Sequence, residues 1–147
     1  MLNPACCSVA RGAWTLAAAA LLCAPVSAQI TFIVTDEPRL ATAQSPIYLA
    51  SDEVGWNPGD TAMQLSPRSD GAWQITIPAP ADGTLAFKFT RGSWDRVEVD
   101  ADLQDIANRT LGSAELGTGP VSLRFTVEGW GDQRPVRAPA PGTDRYQ

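Results

Sequence analysis

The sequence predicts an all-β protein, an antiparallel β-sandwich of seven to eight strands, and three observations carry that reading. Apolar residues alternate with polar ones in short runs. Gly, Pro, Asp and Asn clusters divide these runs at intervals of roughly ten residues. No window shows a sustained helical period; 102–107 has room for a single turn. Strands with one apolar and one polar face suit two sheets that share a core and leave their outer faces in water.

The first residues stand apart from this pattern. Arg11 supplies a positive charge, Trp14 to Cys23 is an apolar run, and Val26-Ser27-Ala28 is a small-residue cleavage site. Residues 1–28 therefore read as a secretory signal peptide, too short in its apolar part to span a bilayer. All three cysteines (Cys6, Cys7 and Cys23) fall inside it, so the mature chain needs no disulfide. The destination is secreted or periplasmic, with no membrane attachment after leader removal.

From Gln29 the strands follow in order. Ile30, Phe32 and Val34 form one face of the first, and Pro46 to Ala50 reads as the second. The segment Gly55-Trp56-Asn57-Pro58-Gly59-Asp60 is a dense turn carrying a large aromatic. A short strand is expected around Met63 to Leu65, and Trp73, Ile75 and Ile77 form the next apolar face. Leu85, Phe87 and Phe89 alternate with Ala86, Lys88 and Thr90, and Arg91-Gly92 turns the chain into a segment where Val97 and Val99 alternate with Arg96 and Glu98. The expected product is a hairpin. Asn108 to Leu111 reads as a short strand, 112–120 as a loop, and Val121, Leu123, Phe125 and Val127 as the last long strand. This places a sandwich domain at 29–131 and a Pro-rich flexible tail at 132–147.

Composition removes several function classes. The chain has no histidine and a formal net charge of −5. Without mature cysteine or histidine, His-based nucleophilic catalysis and the usual zinc sites have no ligands. An acidic chain argues against nucleic acid and anionic membrane as partners. No phosphate-cradling glycine loop precedes a helix, so no nucleotide cofactor is indicated. Glu98 with Asp100 or Asp102 offers a carboxylate pair of the kind glycosidases use. A calcium loop at Asp100, Asp102 and Asp105 lacks the glycine and terminal glutamate of the full pattern. Both carry less than the plain reading, a solvated acidic loop; no catalytic residue and no metal ligand is assigned.

The tryptophans say more. Trp73 lies in mid-strand and belongs to the core, and Trp130, between two glycines, caps the end of the sandwich. Trp56 and Trp94 sit in or beside turns of small and polar residues. Exposed indoles held close together form an apolar patch, which marks a binding site. Their flat faces suit the C–H faces of sugar rings, while Lys88 and Asn108 are placed to bond hydroxyls.

Gly55-Trp56-Asn57, Gly71-Ala72-Trp73, Phe87-Lys88-Phe89, Gly92-Ser93-Trp94-Asp95 and Asn108-Arg109-Thr110 occur in this order, which resembles the starch- and glycogen-binding modules of carbohydrate-binding module family 20, with relatives in family 48. The resemblance covers roughly Ile30 to Val127. It implies an immunoglobulin-like sandwich, a starch-binding domain without catalytic activity, and α-1,4-glucan polysaccharide or oligosaccharide as ligand. By resemblance Trp56 is the first stacking residue, Lys88 and Asn108 contact sugar hydroxyls, and Trp94 is the second stacking residue as family 48 places it. Val99 departs from the family 20 pattern, standing where its second stacking tryptophan falls. A glycan-active enzyme is a further expected partner, and the chain also reads as an accessory fragment of such an enzyme. A protein-interaction sandwich without sugar binding is the rival. Asn108-Arg109-Thr110 is also an N-glycosylation sequon; an occupied Asn108 would be lost to a sugar site.

Overall fold

The computed structural model describes residues 28–135. The leader expected over 1–28 lies outside them except for Ala28, as does the tail beyond Pro135. The described chain is a β-sandwich. One sheet has the order β3-β4-β1-β8, built from β1 (Gln29–Asp36), β3 (Ser66–Pro67), β4 (Trp73–Pro78) and β8 (Val121–Val127). The facing sheet has the order β2-β5-β7, from β2 (Tyr48–Ser51), β5 (Leu85–Thr90) and β7 (Arg109–Leu111). A two-stranded piece pairs β6 (Glu98–Val99) with β9 (Gly129–Trp130). One pairing is parallel: β1 runs alongside β8, with Phe32 opposite Leu123 and Val34 opposite Phe125.

The alternation read from the sequence places the core. Ile30, Phe32 and Val34 of β1 and Leu85, Phe87 and Phe89 of β5 are buried, and both strands are central in their sheets. Phe32, Phe87, Phe89 and Phe125 form a ring cluster across the two sheets, with centroids from 5.2 Å (Phe32–Phe87) to 6.3 Å (Phe32–Phe89). Most of these pairs meet edge to face, the arrangement that the ring quadrupole favours. Burying each such side chain contributes about 1.5–3 kcal/mol. Trp73 joins this core, and Trp130 is fully buried at its end, donating from Nε1 to Asp36 Oδ1 at 2.9 Å.

Three local expectations change. Met63 to Leu65 is not a strand: Thr61–Met63 forms a 3₁₀ turn whose first amides are capped by Asp60, which accepts from Ala62 N at 2.9 Å. Strand β3 begins just beyond it. Within the expected 112–120 loop, Ser113–Leu116 makes one helical turn, α1, which buries Leu116 against the core. The hairpin after β5 is the third change. A single bridge, Thr90 to Val97, continues β5, and Trp94–Arg96 closes into a 3₁₀ turn. Strand β6 then leaves its expected partner and pairs with β9.

The cause is Glu98. This side chain is 0% exposed, and its Oε1 accepts the Phe89 amide at 3.0 Å, where a hairpin would place a backbone carbonyl. Arg109 Nη2 neutralises it at 2.8 Å while its guanidinium lies over the Phe89 and Phe125 rings. A buried carboxylate persists only when paired and hydrogen-bonded in this way. The outward, solvated glutamate expected from alternation is therefore inside the molecule.

Candidate functional site

Period-two geometry puts Ala50 on the outer face of β2, and Lys88 and Thr90 on the outer face of β5, opposite the buried Leu49, Phe87 and Phe89. Ala50 and Thr90 are nonetheless fully buried. The 52–60 loop folds over them: Thr90 Oγ1 donates to Pro58 O, and Trp56 N donates to Ser51 O at 2.8 Å. The loop that carries Trp56 thus lies over the outer face of the sheet that bears Lys88.

Two consecutive left-handed residues make this possible. Gly55 has φ +67°, and Trp56 has φ +58°. Glycine adopts this region freely, but a tryptophan there costs roughly 1–2 kcal/mol. Residues held in this region cluster at functional sites and ligand clamps; Arg39 and Leu103 share it here. The Trp56 ring is half-buried.

Trp94 comes from the turn after β5. It is 45% exposed, one of two large hydrophobic residues so open among the described residues. Its turn is closed by backbone bonds that do not involve the ring: Arg91 N to Arg96 O at 3.0 Å, Arg96 N to Ser93 O at 3.1 Å and Val97 N to Trp94 O at 3.3 Å. The two indole-bearing loops touch. A Cβ added to Gly59 would lie 3.0 Å from Gly92 O, so the Trp56 loop approaches the Trp94 turn closely enough to leave little room for a side chain at that position.

Lys88 is half-buried and donates from Nζ to Ile106 O at 2.6 Å. Phe87 faces Arg109 in the β5–β7 register, and one step further along that ladder Asn108 adjoins Lys88. Asn108 is exposed and lies immediately before β7. The structure therefore brings Lys88 and Asn108 side by side on one sheet and roots the Trp56 and Trp94 loops against each other beside them.

The loop leading to Asn108 is the acidic segment 100–106. Asp100 Oδ1 accepts from Asp102 N at 3.0 Å and Gln104 N at 2.7 Å, and Leu103 adopts φ +60°. Asp105 is paired with Arg134 at 2.8 Å. That hydrogen bond, reinforced by the charge of Arg134 and then of Lys88, holds the Asp105 carboxyl below its ordinary value of 3.8. A depressed carboxylate pKa stabilises the fold above the unfolded value, and this contribution disappears as the pH falls through the folded one. Asp105 is expected to titrate by NMR with a midpoint below 3.8, returning toward that value in Arg134→Gln; an unchanged midpoint would show that Arg134 is not the cause.

This array is a surface and not a cavity. Clefts of about 630, 430 and 400 Å³ are lined by none of Trp56, Lys88, Trp94 or Asn108. The carboxylate pair considered from sequence does not form here, because Glu98 is enclosed and bound to Arg109. Among the described residues no cluster of His, Cys, Asp or Glu is arranged to hold a metal ion, and no helix is long and apolar enough to cross a membrane. The supporting roles of these residues were not legible in the sequence: Glu98 reads there as a solvated carboxylate, Arg109 only as part of Asn108-Arg109-Thr110 and Gly131 only as a neighbour of Trp130, while Arg134 falls in the tail, and their tertiary contacts alone single them out as supports.

No family model matches the chain. It is 38% identical over 109 residues, 74% of its length, to an alpha-amylase from Niallia circulans, of which it covers 8%. It is 30% identical over 77 residues, 52% of its length, to an amylopullulanase from Thermoanaerobacter thermohydrosulfuricus, of which it covers 5%. A solved structure, the glycoside hydrolase family 15 glucoamylase from Hypocrea jecorina, superposes with a TM-score of 0.50 at 17% identity, over 71% of this chain and 18% of that one. At that identity the likeness shows the fold alone. The chain thus spans less than a tenth of the length of the curated relatives it matches, and it is homologous to small parts of amylases and amylopullulanases.

Proposed function

We propose that the protein is a secreted or periplasmic, non-catalytic module that binds α-1,4-glucans, as the family 20 and 48 resemblance implies. Trp56 and Trp94 stack on successive glucose rings, and Lys88 and Asn108 bond their hydroxyls. The observation that carries this reading is the Trp94 ring, nearly half open to water on a turn whose backbone is closed without it, with the strained Trp56 loop docked against the same turn. An apolar ring left open on an ordered support is what a stacking site needs before ligand arrives. Matches to small parts of amylases and amylopullulanases support an α-glucan setting and a glycan-active enzyme as partner or neighbouring domain.

Calorimetric titration with a cyclic α-glucan, together with retention on insoluble starch, tests the proposal. Saturable heat and retention that maltoheptaose reverses are the expected results. A chain that neither binds the cyclic glucan nor stays on starch, but co-purifies with another protein, would establish the interaction-module reading instead. Because the ligand is uncharged, affinity should change little between low and high salt.

A further inference from the structure

The Trp94 turn and the acidic segment 100–106 both rest on one short piece of chain, Gly129–Arg134, which the sequence divides between the end of the sandwich and the start of the tail. The contacts are specific. Gly131 N donates to Val97 O at 2.9 Å, and a Cβ on Gly131 would lie 2.7 Å from Asp95 O. This backbone is pressed against the underside of the Trp94 turn. Asp132 neutralises the two arginines that bracket that turn, taking Arg91 Nη2 on both carboxylate oxygens at 2.6 Å and Arg96 Nε at 3.6 Å.

The same piece reaches the other side. A Cβ on Gly129 would lie 2.9 Å from both Asp100 O and Leu103 Cδ2, so β9 packs directly on the first turn of the acidic loop. Arg134 clamps the rest of it, donating from Nε to Leu103 O at 2.8 Å and from Nη2 to Asp105 Oδ1 at 2.8 Å. Ile106, the acceptor of Lys88, comes next, and Asn108 two residues later. The anchor of the piece itself is Trp130, fully buried with Arg91 stacked over its ring at 5.3 Å.

We propose that Gly129–Arg134 is the positioning element of the binding surface, setting the Trp94 turn through Gly131 and Asp132 and the approach to Lys88 and Asn108 through Gly129 and Arg134. The inference rests on the glucan reading for what the surface binds. Its physical basis is that a stacking site works only when its rings and donors stand in fixed register, and that register comes from the surrounding support. Arg134 and Gly131 are positioning residues that touch no ligand.

The test compares Arg134→Ala, Arg134→Lys and Gly131→Ala with the unaltered protein. Maltoheptaose affinity is read from tryptophan fluorescence, and amide exchange is read over 94–97 and 100–106. Both are measured at a temperature where circular dichroism shows each variant folded. Arg134→Ala should weaken binding roughly five- to twentyfold, as loss of a charge-assisted clamp implies, and speed exchange at 103–106. Arg134→Lys should restore part of both, since one ammonium serves one of the two acceptors. Gly131→Ala should speed exchange at 94–97 and lower affinity. Wild-type affinity and exchange in Arg134→Ala and Gly131→Ala would overturn the proposal. If Gly131→Ala does not fold, Arg134→Ala decides alone, because its side chain is 38% exposed and lies outside the core. If the unaltered protein binds no maltoheptaose, the glucan reading fails on its own, and the exchange rates still decide whether this segment holds the turn and the loop.

Discussion

Trp94→Ala should abolish retention on starch while leaving the melting temperature within a few degrees of the unaltered protein. Removing a stacking ring costs on the order of 1–3 kcal/mol of binding, which is roughly a 5- to 150-fold loss of affinity. On a multivalent granule that loss is enough to release the protein in a wash. Stability is spared because the ring is 45% exposed and the turn beneath it is closed by main-chain bonds and by Asp132. Surface substitutions of this kind stay within about 0.5 kcal/mol. Trp56→Ala should lose affinity to a similar degree with a small change in stability, since the burial it forfeits is set against strain at φ +58°. Trp73→Ala is the control with the opposite signature, a loss of about 3–5 kcal/mol of stability from a ring only 6% exposed. Full affinity in Trp94→Ala, measured by calorimetry with maltoheptaose, would remove Trp94 from the site and the stacking model with it.

Glu98→Ala should be the most destabilising single change outside the aromatic core. The carboxylate is fully enclosed and satisfies both the Phe89 amide and Arg109. Its removal leaves a buried amide without an acceptor and a guanidinium without its counter-charge. Breaking one partner of such a pair costs about 3–5 kcal/mol, a large share of the roughly 5–15 kcal/mol that a domain possesses. For a domain of this size the melting temperature should fall by more than about 10 °C. Glu98→Gln should fall by less, because the amide oxygen still accepts from Phe89. A thermal shift below about 3 °C for Glu98→Ala would show that the pair contributes little. The Arg109 partner also bonds Thr126 O at 2.9 Å, joining β7 to β8 across the edge of the sandwich. Loss of Glu98 therefore loosens the strand that Asn108 immediately precedes.

How much of this was legible differs by level. Strands whose apolar residues recur every second position, such as Ile30-Phe32-Val34 and Leu85-Phe87-Phe89, were readable because a half-buried sheet imposes that period and no other element does. The Trp56 and Trp94 loops were readable as turns because Gly55, Pro58, Gly59 and Gly92 are chemically suited to nothing else. The failures have two causes, one remote and one local. At 96–99 the alternation of charged and apolar residues is locally that of a surface hairpin, and only a distant arginine, Arg109, makes an inward glutamate tolerable. At 63–65 a capping aspartate, Asp60, outcompetes a weak strand signal, and the strand begins at Ser66 instead.

The sequence alone determined the class of fold, the two facing apolar surfaces and the four side chains worth proposing as a site, because periodicity and turn chemistry are local properties written into neighbouring residues. Tertiary structure decided that the Trp56 loop folds back over β5 to meet the Trp94 turn, that Glu98 turns inward, and that Gly129–Arg134 supports both sides of the surface. Those outcomes depend on charges and backbones meeting across 11 residues in the pair Arg109–Glu98 and 41 in Arg91–Asp132. Contacts of that range leave no periodic trace, since their energy comes from desolvation and close approach between segments that are remote in the chain.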